Sequence, residues 1–348
     1  MPVPLESKPH IRYVDVDGLR VRTSVRGTGS PLLVLTGIGA SLEMSVPFER
    51  ALNPHDVQTV TLDAPGTGKS SRYRRPRRMP GLARTVEHTL DALGYDRVDV
   101  LGASFGGVLA QQLAHQAPQR VRRLVLASTG AGVPFLGGVP GSPRALLALA
   151  TPRRYQSPDY YRRIAGALYG GQARRDTDAL LHGSIARFSE TPSLEGYLYQ
   201  LFAISFWTGL PWLWRLRQPT LVLVGDDDPI VPVVNGRILT AAIPHARLEI
   251  IRGGGHLFPL ERPTEIAALV AEFLQRENSD EPVLAQGRMR LEPDPTRRRR
   301  ALTTLIALHL RRDTHQHQAH LSRRCGARRQ PLAGYIAGLS ESPTMDSC

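Results

Sequence analysis

Short apolar runs alternate with amphipathic stretches along most of the chain. Ile11–Val16 and Arg20–Val25 alternate apolar and polar positions, which predicts two strands with one buried face. Asp17-Gly18 joins them and predicts a tight hairpin turn. Continuous apolar runs follow at Leu32–Thr36, Val57–Leu62, Val98–Leu101, Leu124–Ala127, Thr220–Val224 and Leu248–Ile251. Runs without alternation suit strands buried on both faces, as in a parallel sheet. Helical spacing recurs at Pro80–Leu93, Phe105–Ala117, Val234–Ala242 and Thr264–Arg276. In the second of these, Leu109, Ala110, Leu113, Ala114 and Ala117 share one face. This order of signals predicts an α/β fold: a mostly parallel twisted sheet, antiparallel at its start, with helices on both faces.

Two regions break the rhythm. Residues 132–216 are helical in pattern and hold more than half of the chain's aromatic side chains, including Trp207, Trp212 and Trp214. They predict a helical cap over the C-terminal edge of the sheet, lining an apolar pocket. The plainer alternative is a helical layer that uses its aromatics as core. Residues 277–348 carry the run Arg297–Arg300, a His-rich stretch from His309 to His320 and little periodicity. They predict a basic, poorly ordered tail. The expected layout is therefore 1–131 and 217–276 as two parts of one core, 132–216 as a cap and 277–348 as the tail.

Composition narrows the classes. Hydrophobic residues make up 41% and charged residues 22%, which excludes wholesale disorder. No apolar run approaches the roughly 20 residues of a membrane-spanning helix, and the first ten residues lack a signal-peptide apolar core. The expectation is a soluble cytoplasmic protein without a transmembrane segment. The two cysteines, Cys325 and Cys348, exclude a disulfide framework or a Cys-ligated metal in the body. The net charge is +13, with 44 basic against 31 acidic residues, and all basic residues but Lys8 and Lys69 are arginine. With no recognition motif beside it, that bias does not predict nucleic-acid binding.

Gly102-Ala103-Ser104-Phe105-Gly106 follows one strand signal and opens a helix signal. This is the Gly-x-Ser-x-Gly turn, which lifts a serine hydroxyl above a sheet edge through a strained backbone. A serine nucleophile needs a base, and the base needs an orienting acid. His256 follows the Leu248–Ile251 strand signal within Gly253-Gly254-Gly255-His256, which would place an imidazole over the strand edge. Three carboxylates, Asp226, Asp227 and Asp228, compete after Thr220–Val224. Any one of them could be the acid, with the others as turn formers; a magnesium site built from all three is the alternative. The main-chain N–H groups of Ile38, in Thr36-Gly37-Ile38-Gly39, and of Phe105 are the expected oxyanion donors.

Gly68-Lys69-Ser70 looks like the end of a phosphate-binding loop. That loop requires a glycine where this chain has Asp63, so the pattern fails. The arginines from Arg72 to Arg78 read as a solvated loop or as a contact with an acidic surface.

Residues 10 to 276 resemble the α/β-hydrolase superfamily, and within it the intracellular depolymerases of medium-chain-length poly(3-hydroxyalkanoates). The likeness rests on Thr36-Gly37-Ile38-Gly39-Ala40, Asp63-Ala64-Pro65-Gly66-Thr67-Gly68, the elbow with Gly106-Gly107, Gly225-Asp226-Asp227-Asp228-Pro229 and Gly255-His256-Leu257-Phe258. Pro152-Arg153-Arg154-Tyr155, Leu168-Tyr169-Gly170-Gly171, Arg174-Arg175-Asp176 and Tyr199-Gln200-Leu201-Phe202-Ala203 single out the depolymerase group, because caps differ between subfamilies. Phe105 departs from the tryptophan expected there, and one extra glycine precedes His256.

The resemblance implies hydrolysis of 3-hydroxyacyl esters by Ser104, His256 and Asp228, without metal or organic cofactor. It implies a polyester or hydrophobic ester as substrate, with the storage-granule surface as a further contact. A small-molecule carboxylesterase, lactonase or carbon–carbon bond hydrolase of the same fold shares these elements. A non-catalytic granule-binding protein is the alternative from another class. Side-chain length preference, endo or exo attack and oligomeric state leave no mark in the sequence.

Overall fold

The alternating positions at the start of the chain form an antiparallel pair, β1 (His10–Val16) and β2 (Leu19–Arg26). Asp17 and Gly18 turn between them with φ of 53° and 72°, the left-handed pair that a two-residue hairpin requires. In this computed structural model, residues 8–133, 136–178 and 188–276 are described. The tail expected at 277–348 lies outside them.

The remaining strands are β3 (Ser30–Leu35), β4 (Val57–Leu62), β5 (Val98–Ala103), β6 (Val121–Ala127), β7 (Thr220–Gly225) and β8 (Ala246–Ile251). The sheet order is β1-β2-β4-β3-β5-β6-β7-β8. β2 pairs antiparallel with β4, and every later pairing is parallel. The mostly parallel α/β architecture read from the sequence is the one observed.

Helices fill the connections. The chain forms α1 (Val46–Leu52), α2 (Met79–Leu93) and α3 (Phe105–Gln116) before β7, and α9 (Val233–Ala242), α10 (Phe258–Glu261) and α11 (Pro263–Gln275) after it. Between β6 and β7 lie α4 (Pro143–Ala148), α5 (Arg153–Gln156), α6 (Pro158–Tyr169), α7 (Gly171–Arg175) and α8 (Leu194–Ile204). Leu32, Val34, Leu101, Val125, Leu221 and Leu223 cluster with Phe48 and Leu52 of α1 and with Ile266, Val270 and Phe273 of α11. Strand side chains alternate, so the equally buried Leu33, Leu35 and Val100 face the other way, toward the side on which α3 packs.

Two details differ from the pattern. α1 is too short, and too proline-marked at its start, for helical periodicity to register. β8 is not buried on both faces: it is the last strand of the sheet, with Ile251 buried and Ile250 exposed. No helix among the described residues is long and apolar enough to cross a membrane.

Candidate active site

The C-terminal ends of β3, β5, β7 and β8 converge, as expected for a ligand crevice in a parallel sheet. Ser104 stands between β5 and α3 with φ 54° and ψ −116°, a strained conformation for a residue with a side chain. The tightness of the turn explains the flanking glycines. A Cβ on Gly102 would lie 2.3 Å from the Gly106 carbonyl oxygen, and one on Gly106 would lie 2.0 Å from that of Leu35. Either contact would push the elbow apart. The Ser104 N–H donates to Ala127 O at 2.9 Å, and Thr129 Oγ1 donates to Ser104 O at 2.9 Å.

His256 Nε2 lies 3.0 Å from Ser104 Oγ, and His256 Nδ1 lies 2.8 Å from Asp228 Oδ2. The other carboxylate oxygen of Asp228 accepts the N–H groups of Ile230 and Val231 at 2.8 and 2.9 Å. Those two bonds hold the carboxylate in one orientation. The His256 main chain is held as well: its N–H donates to Tyr169 O at 2.7 Å, and Ser128 Oγ donates to its carbonyl at 3.0 Å. The Tyr169 ring stacks beside the imidazole, 6.4 Å between centroids and 19° from parallel. Asp228 and His256 are both buried.

The three consecutive aspartates face three different partners. Asp226 Oδ1 accepts from Gly253 N at 2.6 Å, and Asp227 Oδ2 accepts from Gly171 N at 2.8 Å. Arg174 also pairs with Asp227, at 3.2 Å. Asp227 therefore ties the end of β7 to the insertion, a task beyond turn formation. Carboxylates with separate partners do not converge on one magnesium ion. Among the described residues no group of His, Cys, Asp or Glu is arranged to hold a metal.

The Thr36–Ala40 loop lies against the elbow: a Cβ on Gly37 would sit 3.7 Å from Ser104 Cβ. The N–H groups of Ile38 and Phe105 meet no protein acceptor among the described residues. Both are free to donate to a ligand oxygen. The space above Ser104 and His256 is an apolar cavity of about 100 Å³, walled by Met44, Phe48, Leu149, Tyr155, Tyr169, Leu257 and Leu260.

Arg154 also lines this cavity, wholly buried, with the rings of Tyr155 and Tyr197 on its guanidinium. Burial works against its charge, but the neighbouring tyrosines outweigh it and its pKa moves up. Burial pushes the Tyr197 hydroxyl up to about 12. Asp63, where the phosphate-loop glycine is missing, is a buried structural anchor. It accepts Leu42 N at 2.7 Å and Lys69 N at 2.9 Å and faces Arg22 at 3.4 Å. Its pKa is raised, first by burial.

The aromatic content of 132–216 pointed to pocket-lining rings such as Tyr155 and Tyr169, but not to these residues individually, and Arg154 and Gln200 were assigned no role. All four sit in segments that carried the family likeness.

A family model described as alpha/beta hydrolase fold matches residues 30–263. A poly(3-hydroxyalkanoate) depolymerase of Ectopseudomonas oleovorans is 46% identical over 275 residues, 78% of this chain and 94% of the relative. A 2-hydroxymuconate semialdehyde hydrolase of Pseudomonas putida is 29% identical over 298 residues, 79% of this chain and 97% of the relative. Among solved structures, a hydrolase from Pseudomonas aeruginosa PA01 superposes with a TM-score of 0.63 at 27% identity, covering 76% of this chain and 98% of the other. The chain belongs to the alpha/beta hydrolase family and is an ester hydrolase related to that depolymerase.

Proposed function

We propose that this chain cleaves the 3-hydroxyacyl ester bonds of a medium-chain-length poly(3-hydroxyalkanoate) inside the cell, through an acyl-enzyme. The observation that carries the reading is the hydrogen-bonded series Ser104–His256–Asp228 at the floor of an apolar cavity. The 46% identical depolymerase supplies the substrate class.

In this reading Ser104 Oγ attacks the ester carbonyl carbon while His256 Nε2 takes the hydroxyl proton. Asp228 holds the Nδ1–H tautomer and offsets the imidazolium charge. The N–H groups of Ile38 and Phe105 bind the oxyanion. As the tetrahedral intermediate collapses, His256 returns the proton to the departing 3-hydroxyl oxygen of the next unit. Water then attacks the acyl-Ser104 carbonyl and gives its proton to His256, which passes it to Ser104 Oγ as the acyl group departs as the free acid. Every step uses protein groups and water, so the reading needs no cofactor.

In the same proposal residues 132–216 act as a cap, and 1–131 with 217–276 as the catalytic core. The outer face of α8 supports contact with a hydrophobic granule. Leu194, Leu198 and Phe202 recur there at helical spacing and are exposed, and Phe206 just beyond is exposed as well. The same proposal puts the protein in the cytoplasm, at the granule surface. The confined cavity favours one second reading, a hydrolase of small hydrophobic esters or lactones.

The test is monomer release from an amorphous medium-chain polyester emulsion by the full chain. Release at a rate comparable to turnover of 4-nitrophenyl octanoate supports the depolymerase. Turnover of the soluble ester alone moves the protein to the second reading.

A further inference from the structure

The loop that presents the Ile38 N–H is a four-residue turn. Ala40 N donates to Gly37 O at 3.1 Å, Ile38 is not among the positive-φ residues, and Gly39 has φ +73°. Those features define a type II turn, whose central peptide, Ile38–Gly39, is flipped relative to the commoner type I. Both ends of that peptide are gripped by the insertion between β6 and β7. At its carbonyl, Ile38 O accepts Tyr155 Oη at 2.6 Å and Arg154 Nη2 at 3.3 Å. At its other end, Gly39 N donates to the buried Gln200 Oε1 at 2.8 Å.

The grip is itself anchored. Arg154 Nη1 donates to Tyr197 Oη at 2.7 Å, and Tyr197 Oη donates to Leu149 O at 2.6 Å. A Cβ on Gly39 would strike the rings of Tyr155 and Tyr197 at 2.8 and 2.9 Å. Glycine is thus required there both for its φ and for the close approach of the rings.

We propose that Tyr155, Arg154 and Gln200 are positioning residues that hold the Ile38–Gly39 peptide in its flipped state and so aim the Ile38 N–H at the developing oxyanion. A peptide flip would strand the buried Gly39 N–H and the buried side chains that now bind this peptide, so the insertion selects one turn type. The adjacent Gly37–Ile38 peptide, which carries the donor, is fixed from its other side by the Ala40–Gly37 bond. The donor is therefore set before substrate arrives, as transition-state stabilisation requires. The insertion both walls the cavity and completes the catalytic frame. This rests on the oxyanion role given to Ile38 under Proposed function.

The test uses Tyr155→Phe and Gln200→Leu, both close in shape to the native residues, with Gln200→Glu as a variant that keeps an acceptor. Ser104→Ala runs beside them. Readouts are kcat and KM on 4-nitrophenyl octanoate, and inhibition by an alkyl trifluoromethyl ketone, whose adduct with serine carries an oxyanion. The expected result is a fall in kcat of roughly tenfold to a hundredfold with KM nearly unchanged. Ketone affinity should fall in step with kcat/KM, and Gln200→Glu should recover most of the loss. A kcat within twofold of wild type, a change confined to KM, or unchanged ketone affinity would overturn the proposal while an inactive Ser104→Ala leaves the site reading standing. An active Ser104→Ala would sink the site reading, and this inference with it.

Discussion

The sheet and the insertion between β6 and β7 reach the same serine by different means. The sheet delivers Ser104, Asp228 and His256 from strand ends, each within a residue or a short loop of regular structure. Its central strands β3 and β5 are buried and paired in register, and its elbow leaves no room for a Cβ on either flank. The described helices of the insertion are between four and twelve residues long. It acts through tyrosine hydroxyls, one arginine, one glutamine and main-chain carbonyls. The difference suggests a division of labour. In the proposed reading the frame sets which bond chemistry is available, and the insertion sets how the Ile38–Gly39 loop is held and which ester can approach.

That division breaks most visibly if a frame residue affects one substrate and spares another. Asp228→Asn keeps the shape but favours the wrong imidazole tautomer, since its amide would face His256 Nδ1. It should lower kcat about 10⁴-fold on 4-nitrophenyl octanoate and on polymer alike. Unequal losses would argue against a shared mechanism.

Asp63 tests the frame's stability and not its chemistry. Asp63→Ala removes the acceptor of the Leu42 and Lys69 N–H groups, while Arg22 keeps its ion pair with Glu43. Leaving buried donors unsatisfied typically costs about 1–3 kcal/mol each, readable by urea unfolding. A loss below about 1 kcal/mol would show that the loop after β4 tolerates rearrangement.

Each region also has a tyrosine, Tyr73 beside the sheet and Tyr197 in the insertion, whose hydroxyl burial pushes from 10.0 up to about 12. The folded chain holds these protons more tightly than the unfolded chain does. Their stabilisation is therefore intact below pH 10 and is lost as pH rises through about 12. A rise from 10.0 to about 12 corresponds to at most about 2–3 kcal/mol for each group. Urea unfolding at pH 9 and pH 11 should show the decline. Tyr73→Phe and Tyr197→Phe should each flatten it, and an unchanged slope in both would remove tyrosine ionisation as the cause.

The smallest expected effect is the most specific. Leu198→Glu changes the outer face of α8 and leaves the cavity alone. Losing one apolar contact of this size lowers polymer turnover roughly tenfold. Turnover of 4-nitrophenyl octanoate should stay at the wild-type rate. Equal losses on both substrates would mean that the helix supports the site and does not touch the polymer.

Legibility in the sequence follows the same boundary. The elbow is readable because steric exclusion prints as Gly102 and Gly106 at fixed offsets from Ser104. The strand ends that carry Asp228 and His256 are readable from apolar runs, but three carboxylates follow one of them and only the family pattern separated Asp228 from its neighbours. The grip on the oxyanion loop is not readable. Tyr155 meets Ile38 across 117 residues of sequence and Gln200 meets Gly39 across 161, with no local pattern to announce either. Helices as short as α5 and α7 carry too few turns for periodicity to register. Asp227 shows the limit from another side: its neighbours in sequence suggested a turn, whereas its partners, Gly171 and Arg174, lie in the insertion. The edge position of β8 depends on which strand lies beside which, and an apolar run does not encode that.

The most direct test of the account is monomer release from an amorphous medium-chain polyhydroxyalkanoate emulsion, measured beside 4-nitrophenyl octanoate turnover for wild type and Ser104→Ala. The account predicts that wild type consumes both substrates and that Ser104→Ala consumes neither above background. Polymer turnover that survives in Ser104→Ala would contradict it.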